Sequence, residues 1–422
     1  MKIKIKELSY EKVMALPNAK HKKPIKPKRI FRFLLKYVSK KDLQATHFKY
    51  DKIGMENKKK NEPVLYLMNH SSFIDLKIAG TIIYPEPFNI VCTADALIGK
   101  EWLMRNLGCI PTNKYVTDIS LVKDMEYALH KLKSSVLLYP EAGYSFDGLK
   151  TTLPDSIPRL IKLLKVPVVM IKTEGAYLRD PLYNNLQLRK VNVKAVVKYL
   201  LSKEDIETKS KEEISALIDE QFAFDNFLLQ QNNKVVVSET FRADGLNRVL
   251  YKCPHCLEEG QMVGKGIEIS CSSCGVRYEL DEQGYLVNEN AKYKHIPDWF
   301  NWEREEVKKE ILAGSYALDT EVDIYILKDT KALYKVGNGH LHHDIDGFVL
   351  SGCDGKLNYR QSSTFSYGLN VDYFWYEIGD VIGIGDKEAL YYCFPKNKEI
   401  NVAKTRLAAE EIYKLKKAKQ KN

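Results

Sequence analysis

The most reactive pattern in this 422-residue chain is Met68-Asn69-His70-Ser71-Ser72-Phe73-Ile74-Asp75. Histidine is the side chain whose ordinary pKa lies nearest neutrality, so His70 is suited to act as a general base. Asp75, five positions on, can accept the imidazole N–H, hold one tautomer and support the imidazolium that forms when a proton is taken. No serine or cysteine nucleophile is needed if the base activates a substrate hydroxyl directly. The spacing alone is a weak signal, because a helix N-terminus beside a buried histidine produces it too. Of the nine histidines, only His70 has an aspartate at this distance.

A second pattern is Cys253-Pro-His-Cys256 and Cys271-Ser-Ser-Cys274, with 14 residues between the pairs. Each CxxC is a knuckle that aims two sulfurs at one ion, and two knuckles supply a tetrahedral four-thiolate site. Zinc is the expected ion; a pair of redox dithiols and an iron–sulfur site are the alternatives. With four thiolates the site is closed, hence structural. Cys92, Cys109, Cys353 and Cys393 are scattered, and His255 within a knuckle is expected to be exposed.

The elements that would carry these residues follow from the apolar pattern. From Pro63, short continuous apolar runs (64–69, 88–92, 109–111, 134–140, 166–172) alternate with helical segments (71–81, 99–107, 117–132, 156–164). Such runs indicate a sheet covered on both faces by helices. The first run delivers Asn69 and His70 to a strand's C-terminal tip, where open α/β sheets place ligands. Residues 191–200 and the charged, helical 203–231 complete the unit. Residues 249–252 and the stretches flanking Cys271 and Cys274 read as β segments, and 297–313 as a helix. From 320 onward, short alternating segments broken by Gly, Asn and Asp read as antiparallel β. A helix over 403–417 closes the chain. The run His340 to Asp346 reads as a polar hairpin turn.

These observations divide the chain into a basic amphipathic region (1–59), an α/β domain with a helix-covered mixed sheet (60–245), a zinc ribbon (246–290), a helical linker (291–319) and a mostly antiparallel β domain (320–422). The last weakly resembles a pleckstrin-homology-like barrel. Residues 373–376, Tyr-Phe-Trp-Tyr, are expected in that domain's core and rim. The ribbon is expected to act as a hinge between its neighbours.

Net charge is +10, but residues 1–60 hold 19 Lys/Arg against 5 Asp/Glu, a local +14 that leaves the other 362 residues at −4. The basic front contains IFRFLLKYVSKK (30–41), with Phe31, Leu34, Leu35 and Val38 at helical spacing. That composition suits a helix lying in a membrane interface or packed on the next domain. Each basic residue near an anionic bilayer contributes about 1 kcal/mol. No run of about 18 apolar residues exists to span a membrane. A peripheral protein on the cytoplasmic face, held by an anionic membrane surface, is therefore expected. The acidic body argues against nucleic acid as a partner.

The α/β domain resembles the glycerolipid acyltransferases of the lysophosphatidic acid acyltransferase family, across roughly residues 60–230. That family's NHxxxxD block is matched by Asn69, His70 and Asp75. Its G-x-I-x-x-x-R block reads Gly108-Cys109-Ile110-Pro111-Thr112-Asn113-Lys114. Its F-P-E-G-T-R-S block reads Tyr139-Pro140-Glu141-Ala142-Gly143-Tyr144-Ser145. Its V-P-hydrophobic strand reads Val166-Pro167-Val168-Val169. The resemblance implies His70 as base, Asp75 as its orienting partner, and Asn69, Lys114, Glu141, Ala142, Gly143 and Ser145 as substrate-binding positions. Backbone N–H groups near Ala142 and Gly143 would stabilise the oxyanion. It also implies a lysophospholipid acceptor such as 1-acylglycerol-3-phosphate, and an acyl-CoA or acyl carrier protein thioester as co-substrate. Lys114 and Tyr144 stand where the family has arginine. Lysine is only a point charge and tyrosine a single neutral donor, so the phosphate clamp is weakened. An acceptor other than phosphatidate's precursor, or a non-catalytic lipid-binding adaptor, are the alternatives.

Overall fold

A computed structural model describes residues 3–116 and 118–421; Met1, Lys2, Thr117 and Asn422, and with Thr117 the expected first residue of one helix, lie outside them. The chain begins with β1 (Ile5–Glu7), α1 (Tyr10–Met14) and α2 (Arg29–Ala45). The first sheet comprises β2 (Lys49–Ile53), β3 (Leu65–Met68), β4 (Phe88–Thr93), β5 (Cys109–Thr112), β6 (Ser135–Leu138), β7 (Val168–Glu174) and β8 (Lys194–Leu201), in the order β2-β8-β7-β3-β6-β4-β5. Every neighbouring pair is parallel except β7–β8, so the sheet is mixed as expected. Helices α3 (Asp75–Ile83), α4 (Glu101–Asn106), α5 (Ile119–His130), α6 (Ile157–Leu164), α7 (Ala176–Arg179), α8 (Lys203–Thr208), α9 (Lys211–Phe222) and α10 (Asn226–Asn232) connect and cover it.

The apolar runs are continuous because both faces are buried. Leu65 and Leu67 enter one core, with Val168 and Met170 beside them. Tyr66 and Met68 enter the other, with Val169 and Ile171. Each fully buried large apolar side chain contributes about 1.5–3 kcal/mol. Capping boxes at Ser202/Asp205 and Ser210/Glu213 start α8 and α9.

The domain begins earlier than residue 60. Strand β2 pairs with β8 over Lys49–Ile53, so the unit's edge lies inside the segment expected to be a basic tail. The segment before it is also docked. Asn89 Nδ2 donates to Ile25 O, Arg105 donates to Lys22 O and Lys23 O, and His21 contacts Asp124. Gly108 is required by this strap: at φ +100, a Cβ there would sit 2.6 Å from Pro27 and 2.7 Å from Phe88 O. Helix α2 both packs and faces outward. Leu43 and Ser39 are buried against the domain, while Ile30, Phe33, Leu34, Tyr37 and Val38 are exposed.

The ribbon is a four-stranded antiparallel sheet, β9 (Met262–Lys265), β10 (Glu268–Cys271), β11 (Arg277–Leu280) and β12 (Leu286–Val287), in the order β12-β11-β10-β9. Residues 249–251, expected as strand, are not; only Lys252 bridges to Glu259. Helix α11 (Ile296–Leu312) follows. The β domain has β13 (Leu318–Leu327), β14 (Leu333–Asp344), β15 (Gly347–Gly352), β16 (Leu357–Ser362), β17 (Asn370–Trp375), β18 (Gly379–Gly385) and β19 (Leu390–Pro395), ordered β16-β15-β14-β13-β19-β18-β17 and antiparallel throughout. Helix α12 (Val402–Lys421) closes it, and β1 joins it in parallel with β14. The histidine run lies in β14, with the turn confined to Ile345 and Asp346; His343 is buried and stacks on Phe348.

The expected hinge is absent. One apolar core runs from Phe146 and Tyr177 of the α/β domain, through Tyr278 of the ribbon and Trp299 of α11, to Ile382 of β18 and Leu407 of α12. The 291–319 segment is helical over Ile296–Leu312, and its inner face (Trp299, Phe300, Val307, Ile311) is part of this core. A buried ion-pair cluster reinforces it, with Arg304 on Glu410 and Glu411 at 2.9 Å.

Candidate active site

Strand β3 ends at Met68, and the chain then curls around the carboxylate of Asp75, the first residue of α3. Asp75 Oδ2 accepts from Ser71 N–H at 2.8 Å and Ser72 N–H at 3.0 Å. The same oxygen lies 3.1 Å from His70 Nδ1. An ionised carboxylate can only accept, so Nδ1 carries the proton and Nε2 presents its lone pair. Asp75 is buried, whereas the His70 side chain remains 21% exposed. The imidazole is fixed further by two tyrosine rings, Tyr139 at 4.2 Å and Tyr144 at 4.0 Å between centroids.

Of the positions expected to bind substrate, Asn69 and Glu141 hold this turn in place, and Ser145 holds its own loop. Asn69 is fully buried; its Oδ1 accepts from Thr173 N–H at 2.8 Å, and its Nδ2 donates to Thr173 O and Ser71 Oγ. It ties β3 to β7. Glu141 Oε2 accepts from His70 N–H at 2.8 Å, and Oε1 from Thr151 N–H at 3.0 Å. Burial pushes its carboxyl up to about 7, against the pull of those two N–H groups. Ser145 Oγ donates to Leu149 O at 2.6 Å and accepts from Gly148 N–H. Ala142 sits at φ +55, and its N–H donates to Tyr139 O at 3.2 Å, so it is not available for an oxyanion. Gly143 is buried beside the Tyr115 hydroxyl.

His70, Lys114, Ala142 and Tyr144 line a cavity of about 1690 Å3. Its walls are largely apolar and aromatic, from Ile90, Met104, Leu121, Leu160 and Leu186. It exceeds the roughly 300–1,000 Å3 typical of small-molecule sites. One wall comes from the β domain: Asp372 to Glu377 and Phe365 to Tyr367, with Tyr413 and Lys417 of α12. The pairing of β17 with β18 shifts register between Asp372 and Trp375, and Phe374, Tyr376 and Glu377 have positive φ. This bulge turns the strand end toward the cavity. Tyr376 OH donates to Asp95 at 2.8 Å and Phe146 stacks on Tyr373 at 4.3 Å, which fastens the wall to the α/β domain. Tyr373 and Trp375 are buried in the core, as expected for residues 373–376; that the same run also walls the cavity was not foreseen, and the aromatic run itself was its signal.

Residues 49–172 match the family model described as Acyltransferase. The chain carries an acyltransferase domain. The match spans His70, Asp75, the 108–114 block, the 139–145 block and Val166–Val169. Among solved structures, the chain resembles the 1-acyl-sn-glycerophosphate (LPA) acyltransferase PlsC from Thermotoga maritima, at 16% identity and a TM-score of 0.37, over 45% of this chain and 76% of that one. No curated protein matches. The matched acyltransferase segment ends before Asp372, so part of the cavity wall lies outside it.

Behind the acyltransferase domain, the sulfurs of Cys253, Cys256, Cys271 and Cys274 all lie within 4.8 Å of one another. Cys253–Cys274 and Cys256–Cys271 are each 3.7 Å apart, and all four cysteines are free. Metal–sulfur bonds of about 2.3 Å in a tetrahedron give sulfur separations near 3.8 Å, so the set fits a tetrahedral ion and is too wide for disulfides. His255 points elsewhere, with Nε2 2.7 Å from Tyr278 OH.

Proposed function

We propose that the protein is an O-acyltransferase that moves a fatty acyl group from a thioester donor to the hydroxyl of a lysophospholipid. The observation that carries this reading is His70, oriented by Asp75, opening on a large apolar cavity. His70 Nε2 takes the proton of the acceptor hydroxyl as its oxygen attacks the acyl carbon. The C–O ester bond forms, the C–S bond breaks, and the imidazolium returns the proton to the leaving thiolate. Asp75 stabilises the imidazolium while Nδ1 keeps its own proton. The Gly143 N–H is the remaining backbone candidate for the oxyanion. The donor is acyl-CoA or an acyl carrier protein thioester.

The test is mass-spectrometric detection of acylated product from a panel of lysophospholipids with both donors. His70→Ala should lower the rate about 10²–10⁴-fold; full activity in that variant would sink the mechanism. A lipid-binding adaptor is disfavoured by the intact His70–Asp75 pair.

The same reading includes a peripheral membrane seat. No described helix is long and apolar enough to cross a membrane. The exposed Ile30, Phe33, Leu34, Tyr37 and Val38 of α2, with Trp102 of α4 nearby, form an apolar face beside Arg29, Lys36 and Lys40. This composition suits an anionic bilayer surface on the cytoplasmic side. The four cysteines would hold a structural zinc ion.

A further inference from the structure

The loop after β5 that carries Lys114 is seated on the β domain. The Tyr115 and Tyr367 rings are 5.5 Å apart, and a Cβ on Gly368 would come within 2.6 Å of the Tyr115 ring. Asp372, from β17 of that domain, is buried, and its Oδ1 accepts from Tyr373 N–H at 3.1 Å. Lys114 and Asp372 line the cavity that contains His70. Among the described residues, neither closes an ion pair within 4 Å. Asp95, also buried, adds a second carboxylate held by Tyr376 and Tyr392. Where the family pattern has an arginine, the Tyr144 ring lies on the imidazole and contributes no charge.

A phosphomonoester near neutral pH carries a charge of about −1.5 to −2. Arg159, Lys414 and Lys417 also line the cavity, but at the Asp372 wall a phosphomonoester would meet the point charge of Lys114, the cation that acts on Asp372, and the carboxylates of Asp372 and Asp95. A phosphodiester carries a single negative charge, which one lysine matches, and an ammonium beyond it would match Asp372. Burial pushes the Asp372 carboxyl up to about 6, with Lys114 as the main opposing influence, so it is ionised at pH 7 and above.

We propose that the acceptor carries a zwitterionic phosphodiester head group, with Lys114 facing its phosphate and Asp372 its ammonium. This rests on the acyltransferase reading above and adds the acceptor's chemical class. Specificity then comes from the β domain, outside the segment that matches the acyltransferase family.

The test compares kcat/KM of the full-length protein on three acceptors: lysophosphatidate, lysophosphatidylglycerol and lysophosphatidylethanolamine. The ethanolamine lipid should be preferred over both others by roughly tenfold or more, the size expected when a buried charge finds its partner. Asp372→Asn keeps the acceptor oxygen for Tyr373 N–H. It should remove the preference over lysophosphatidylglycerol, mainly through KM. Lys114→Met should weaken both diesters. A wild-type enzyme that uses lysophosphatidate as well as or better than the ethanolamine lipid overturns the proposal, whatever the variants do. So does Asp372→Asn lowering all three acceptors by one common factor, the sign of a structural role. Acylation of none of the three overturns the acyl-transfer reading itself, and the proposal with it.

Discussion

The turn that carries His70 and the strand end that carries Asp372 line one cavity, yet they are built on opposite terms. The turn is closed within eight residues: Asp75 gathers His70, Ser71 and Ser72 around one carboxylate oxygen. The wall at Asp372 lies some 300 residues on and reaches the cavity only because β17 bulges and its aromatics pack on Phe146 and Asp95. In the proposed function the chemistry is local, whereas the selection of what reaches it is assembled from distant parts. The shared core that joins the two regions also passes through the cysteine ribbon.

The largest effect that could break this comparison is metal removal. A closed four-thiolate site contributes folding energy outright, on the order of 10 kcal/mol in isolated fingers. Cys253→Ser, or strong chelation, should therefore lower thermal stability and abolish activity on every acceptor together, because the ribbon supports the wall. A chelated protein that keeps full activity, or a 1:1 zinc analysis that finds none, would make the ribbon an appendage.

A smaller effect sharpens the local side. Glu141 holds the His70 turn with a carboxyl raised from an ordinary 4.5 to about 7. A raised acid binds its proton more readily in the folded state. The stability it lends is thus present below about pH 4.5 and is lost as pH climbs through about 7. Asp180 and Asp372, each pushed up to about 6, act in the same direction. Folding stability should fall between about pH 5 and 7.5, by up to roughly 3 kcal/mol for Glu141, and the thermal midpoint should drop with it. Glu141→Gln should flatten that fall; an unchanged slope would assign it elsewhere.

The smallest effect concerns the membrane seat proposed for α2. Phe33→Glu with Tyr37→Glu should reduce flotation on anionic liposomes about tenfold or more. It should leave activity on detergent-dispersed acceptor nearly unchanged. Undiminished flotation would remove α2 as the seat. Deleting residues 1–41 is a poorer test, since β1 pairs with β14 and Val13 is buried in the common core.

Much of the α/β domain was legible. Runs such as 64–69 and 166–172 are apolar at every position because alternate residues enter two cores, and that pattern survives in one dimension. The His70–Asp75 pair was legible for a related reason, as its geometry is set within one turn. Strand β2 was not, because KYDKI is polar and exposed at the sheet edge. Asn69, Glu141 and Ser145, expected at the substrate, are found bonded to backbone groups. A residue type that suits substrate binding suits backbone staples equally well, and only the burial of their partners tells the two apart.

By itself, the sequence determined where a histidine and its partner carboxylate stand, where four thiols converge and which segments must be sheet. These depend on side-chain type and short-range spacing. The tertiary structure alone decided that the ribbon is wedged into a shared core, that Tyr144 lies on the imidazole, and that Asp372 faces the same space as Lys114. Those outcomes depend on long-range packing, in which a β-bulge and a few buried aromatics choose among surfaces that the local chain leaves equivalent.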